Sequence, residues 1–213
     1  MTHMRNLTRF LAAVAIVGAT TSCGDVVRNG RAPSYLVIDS LEGIRGAANA
    51  GTPGSTLISD VITNVTSPAP CTQDKPCPTI FGDGGRATMH IALKDPGTAA
   101  APSAPTEMNA ITITRYRVDY VRADGRNTPG VDVPYGFDGA VTFTVSGATG
   151  SPFGFQLVRI VAKEETPLVQ LKTSSQFITV LARVTFYGHD QAGNEVSASG
   201  SIQIDFGNFG DPA

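Results

Sequence analysis

From residue 196 to residue 206 the chain alternates without a break. Val196, Ala198, Gly200, Ile202, Ile204 and Phe206 share one parity; Ser197, Ser199, Ser201, Gln203 and Asp205 hold the other. A helix would need apolar residues every three to four positions, so this pattern fits only an extended strand. One strand cannot bury its apolar face alone and requires both a sheet and an opposing layer. The preceding run repeats the pattern: Ile178, Val180, Ala182, Val184 and Phe186 line one face, and residues 188–194 supply the turn. With 23 Gly and 14 Pro among 213 residues, the composition argues against a helical bundle or coiled coil.

Weaker strand signals fill the rest. Residues 35–41 and 57–65 are β-rich. In residues 86–94, Met89, Ile91 and Leu93 face one way while Thr88, His90 and Lys94 face the other. Residues 110–123 begin with Ile111 and Ile113 in phase, then continue with Tyr116, Val118 and Tyr120. That one-residue slip predicts a β-bulge near Thr114-Arg115. Residues 139–147 alternate cleanly through Val141, Phe143 and Val145, whereas residues 153–162 are apolar at both parities and predict a central or doubly covered strand. One helical turn is expected after Pro167. Residues 45–56 read as a small-residue loop, and residues 96–106 as a low-complexity connection without regular structure. The fold class expected is all-β, an antiparallel sandwich over residues 35–208 with a C-terminal tail at 209–213. Residues 35–94 are expected to join the same sandwich, because three or four weak strands make a poor core alone.

The N-terminus carries an address. Arg5 and Arg9 precede a ten-residue apolar run, 10–19, too short to span about 30 Å of hydrocarbon. Residues 1–22 therefore read as a secretory signal. The junction Thr20-Thr21-Ser22-Cys23-Gly24 resembles a bacterial lipoprotein processing site, although Thr20 stands where that family has Leu, Val or Ile. The resemblance implies lipid attachment at Cys23, with residues 23–34 as a tether; an ordinary cleavable signal followed by a chance Cys is the alternative. Gly24, rather than Asp, implies sorting to the outer membrane of a Gram-negative envelope. The whole chain has a formal charge of −2, with 16 basic and 18 acidic residues, which leaves no footprint for nucleic acid. The membrane, reached through the lipid, is the first expected partner.

Two cysteines remain, Cys71 and Cys77, in a proline-flanked loop. Two Cys are too few for a structural metal site, and five intervening residues exclude a C-x-x-C redox pair. A structural disulfide is expected.

The last hairpin carries a resemblance. Val184-Thr-Phe-Tyr-Gly-His-Asp190-Gln-Ala-Gly193-Asn194-Glu-Val196 resembles the F–G hairpin of bacterial immunoglobulin-like and fibronectin-III-like domains, and the segment from Ile113 to Tyr120 is similar to their strand C. The resemblance covers about residues 108–207 and implies an Ig-like sandwich. The chain has no Trp and no Cys placed to link the sheets, so the antibody-type core is absent.

Catalytic signatures are missing: there is no G-x-S-x-G, S-x-x-K, H-E-x-x-H or Walker A motif. His90 and His189 fall on a polar strand face and in a turn, and read as surface residues. Asp124, Asp132, Asp138, Asp190 and Asn194 sit at strand ends, where loop oxygens could hold Ca²⁺ or simply stabilise their own turns; the second reading is preferred, with no metal or cofactor expected. Arg115, Arg117 and Asp119 share the face opposite Tyr116, either as a recognition patch or as a solvated face with a cross-strand ion pair. The functional expectation is a membrane-anchored envelope lipoprotein, a binding or structural module whose partner is an envelope protein or glycan. A loop-built enzyme or an envelope assembly factor, directed at carbohydrate, is the alternative.

Overall fold

The computed structural model describes residues 30–47 and 51–210; the signal segment 1–22, Cys23 and most of the 23–34 tether lie outside the described residues. The protein is all-β. Its strands are β1 (Ser34–Ile44), β2 (Thr56–Asp60), β3 (Thr63–Val65), β4 (Cys77–Thr79), β5 (Asp83–Leu93), β6 (Gly97–Thr98), β7 (Ala101–Pro102), β8 (Ile111–Val121), β9 (Phe137–Val145), β10 (Ser151–Val158), β11 (Phe177–Asp190) and β12 (Glu195–Gly207). A short helix α1 (Ile160–Glu164) and a 3-10 turn (Leu168–Thr173) lie between β10 and β11.

Two main sheets form, one in the order β1-β5-β10 and the other in the order β2-β12-β11-β8-β9. Alternation places their inner residues in one core: Ala87, Met89 and Ile91 from β5 join Tyr116 and Val118 from β8, Val184 and Phe186 from β11, and Ile202, Ile204 and Phe206 from β12. Residues 35–94 thus share the core of the C-terminal half. Aromatic rings bridge the layers, with Phe186 5.5 Å from Phe153 and 5.2 Å from Phe155, both on β10. Two tyrosines on β8 also bond the backbone of β10. The Tyr120 hydroxyl donates to the Leu157 carbonyl at 2.8 Å, and the Tyr116 hydroxyl accepts the Gln156 N–H at 3.1 Å. Burial pushes the Tyr120 hydroxyl's pKa above its ordinary value, so it remains a donor.

The predicted bulge is present: the register of β8 slips between Ile113 and Arg115 against β9. The tight β11–β12 turn depends on Gly193, whose φ of +78° suits a residue without Cβ.

Four local expectations need correction. The sheets are antiparallel except at one edge, where β2 runs parallel to β12. The segment 57–65 divides, its second part pairing with β4 in a separate two-stranded sheet. Residues 96–106 carry the minimal β6–β7 hairpin. The doubly covered strand expected at 153–162 is an edge strand that ends at Val158. Its mixed parity arises because the chain turns into α1, which buries Ala162 and leaves Ile160 and Val161 half exposed.

Candidate functional site

The outer face of the five-stranded sheet places the three residues singled out by sequence side by side. Arg115 and Arg117 project from β8 opposite the buried Tyr116 and Val118. Arg117 forms two bonds to Asp119, at 2.8 and 2.9 Å, and a third to Asp138 on β9 at 2.8 Å. The hydrogen bond that Arg117 donates to Asp119 is the largest influence holding its guanidinium above its ordinary pKa. Arg115 reaches Asp138 at 3.4 Å and stacks 3.9 Å from the Tyr187 ring centroid. Register explains both contacts, since Arg115 lies opposite Tyr187 and Arg117 opposite Asp138. The cluster is therefore both a charge-matched ladder and an exposed one.

Beside this ladder a cleft of about 520 Å³ is lined by Arg115, Tyr187, His189, Glu195 and Ser197. It offers a cation fixed on an aromatic ring, an imidazole, a carboxylate and a hydroxyl, which is equipment for a polar ligand. Because Arg115 is exposed and Arg117 half-buried on the solvent side of the sheet, the double change Arg115→Ala, Arg117→Ala should leave the melting temperature within about 3 °C of the parent's. Scanning calorimetry checks this; a large drop would mean that the ladder supports the fold.

The histidines do not converge. His90 on β5 pairs with Asp39 on β1 at 2.6 Å, while His189 lies in the other sheet, its Nδ1 3.2 Å from the Asp190 carbonyl. Each turn carboxylate has its own donors. Asp124 is bonded by Arg122 and then Arg126, which hold its pKa well below the usual range; Asp132 accepts the Thr128 N–H. Desolvation pushes the Asp190 carboxyl up, but bonds from the Asn194 side chain and the Asn194 and Ala192 amides outweigh it and hold it low. Cys71 and Cys77 are joined by a disulfide that closes one surface loop leading into β4.

A second cluster escaped sequence reasoning. Lys163 on α1 is wholly buried and bonds the Asp83 carboxylate and the Asp60 carbonyl, each at 2.8 Å. Asp83, at the start of β5, also accepts the Ser59 hydroxyl at 2.6 Å and the Gly46 N–H at 2.8 Å. The Asp60 carboxylate binds Arg45 at 2.8 Å. Desolvation pulls the Lys163 ammonium below its ordinary pKa, and Asp83 offsets only part of that. One lysine among Ile160-Val-Ala-Lys163-Glu-Glu looks like a solvated residue, and Asp83 between glycines looks like a turn residue. Only the fold brings them together.

Comparison with protein-family models, with curated proteins and with solved structures found no match.

Proposed function

We propose that the protein is a lipid-anchored lipoprotein of the outer membrane whose body is an Ig-like sandwich serving as a binding or structural module of the envelope. The strand order supports the Ig-like reading. β12, β11, β8 and β9 follow the G-F-C-C′ order of such domains, and β1, β5 and β10 follow A-B-E, with no strand D among the described residues and β2 added beside the last strand. The short helix between β10 and β11 then occupies the E–F connection.

The observation that carries the binding role is the ladder of Arg115, Arg117, Asp119 and Asp138 beside the Tyr187 cleft. It is polar and largely solvent-facing, with a cation stacked on the Tyr187 ring at its edge. Arg and Tyr are the residue types enriched at binding hot spots. The partner chemistry that fits is a polar surface rich in hydroxyl and carboxylate groups, on an envelope protein or a glycan.

The anchor supplies the decisive test. Cys23→Ser should move the protein from the membrane fraction to the soluble periplasm and abolish incorporation of labelled palmitate. Membrane association that persists in the variant, with no label in the parent, overturns the lipoprotein reading. In the same cells, crosslinking through the β8–β9 face should capture a partner that the Arg115→Ala, Arg117→Ala variant no longer captures.

A further inference from the structure

Strand β11 opens on an apolar side chain that water reaches: Phe177 is 63% exposed, and Leu181, at the same parity, is 41% exposed. Phe177 lies opposite Gly207, at the end of the sandwich where β11 begins and β12 stops. The Arg115–Tyr187 cleft belongs to the other end, beside the β11–β12 turn. The 14 residues of β11 separate the two ends by about 40 Å of extended chain.

Phe177 and Arg122 line both of two adjoining clefts, of about 590 and 540 Å³. Val131, Gln170 and Gln176 also line the larger, while Asp124, Leu181 and Gln203 line the smaller. The ring stands on a closely packed base, because a Cβ at Gly207 would come within 3.2 Å of the Phe177 Cβ and 3.0 Å of the Phe209 ring. Charge in the clefts is balanced. Asp124 accepts bonds from Arg122 at 2.7 Å and from Arg126 at 2.8 Å, and Asp132 supplies a second carboxylate against the two guanidinium groups. The side-chain amides of Gln170 and Gln176 are exposed and make no bond among the described residues, which leaves both their donors and their acceptors for a ligand.

A ligand for this place carries no net charge, presents an apolar face to the ring and offers hydrogen-bonding groups around its rim. A pyranose with equatorial hydroxyls has that shape, because its C–H bonds point to the two faces and its hydroxyls to the edge. Peptide modes fit less well. Beyond the end of β8 at Val121, β11 offers an open edge only over residues 177–180, short for an added strand. A docked helix needs a continuous apolar stripe, and here Thr179, Gln203 and Arg122 interrupt Phe177 and Leu181. We propose that the Phe177 end of the sandwich is a binding site for a neutral, β-linked oligosaccharide, with one sugar ring stacked on Phe177 and its neighbours reaching into the two clefts. The site is separate from the Arg115–Tyr187 cleft and does not depend on it.

The test is calorimetric titration of the full chain with cellotetraose and with chitotetraose, which share the β-linked backbone and differ in the N-acetyl group. At least one should bind, and the difference between the two says whether the acetamide is read. Phe177→Ala should weaken that binding about tenfold or more, whereas Phe177→Tyr, which keeps the ring, should retain it. Because Phe177 is largely exposed, both variants should melt close to the parent. Arg115→Ala, Arg117→Ala should leave the titration unchanged, so that failure of the other cleft and failure of this one are told apart. Binding of neither tetrasaccharide by the parent, or binding that survives Phe177→Ala, would overturn the proposal. So would a protein crosslinked through position 177 that excess tetrasaccharide does not displace, which would make this end a protein-docking surface.

Discussion

Lys163→Met should lower stability by about 3–5 kcal/mol, making it one of the two most damaging single changes expected in the fold. The side chain is not costly to lose for its apolar stem, which Met replaces. The damage comes from Asp83, left wholly buried with only Ser59 and Gly46 as donors, and from the Asp60 carbonyl, left without its lysine. An uncompensated buried carboxylate carries most of its desolvation penalty. The double variant Lys163→Met, Asp83→Leu removes both charges and should recover about 2 kcal/mol or more relative to the single one. Guanidinium unfolding followed by circular dichroism measures it. A single variant as stable as the parent would mean that water reaches the cluster.

The contrast between this cluster and the strands marks where the sequence was legible. Strand β12 could be read because its signal is local: the parity of Ile202, Ile204 and Phe206 decides which side is buried, and all three are. The slip between Ile113 and Tyr116 was legible for the same reason, since an extra residue must shift the phase of everything after it. The exposed ladder was legible only in part. Parity put Arg115, Arg117 and Asp119 on one face, but Asp138 joined them through pairing with β9, which no local pattern encodes. The edge position of β10 and the parallel partner of β12 are likewise matters of which strands meet. Lys163 was the hardest case. Its burial depends on three distant segments, around residues 46, 60 and 83, and local composition pointed the other way.

Parity also locates the second large effect, at Phe186. Its ring is wholly buried on β11 and meets Tyr116, Phe153 and Phe155 at centroid distances of 6.2, 5.5 and 5.2 Å. Two of these partners belong to the opposite sheet, so Phe186 fills the space between the layers. Edge-to-face contacts with both β10 rings add to the area it buries. Truncation leaves a cavity bounded by two stiff sheets, which collapse around it poorly, and Phe186→Ala should cost about 3–5 kcal/mol. Leu181, five residues earlier on the same strand, has the opposite parity and is 41% exposed. Leu181→Ala should therefore cost less than about 1 kcal/mol. Chemical denaturation of the two variants side by side tests the phase of β11 directly. Equal losses would mean that both faces of the strand are covered, either by a partner or by a different arrangement of the sheets.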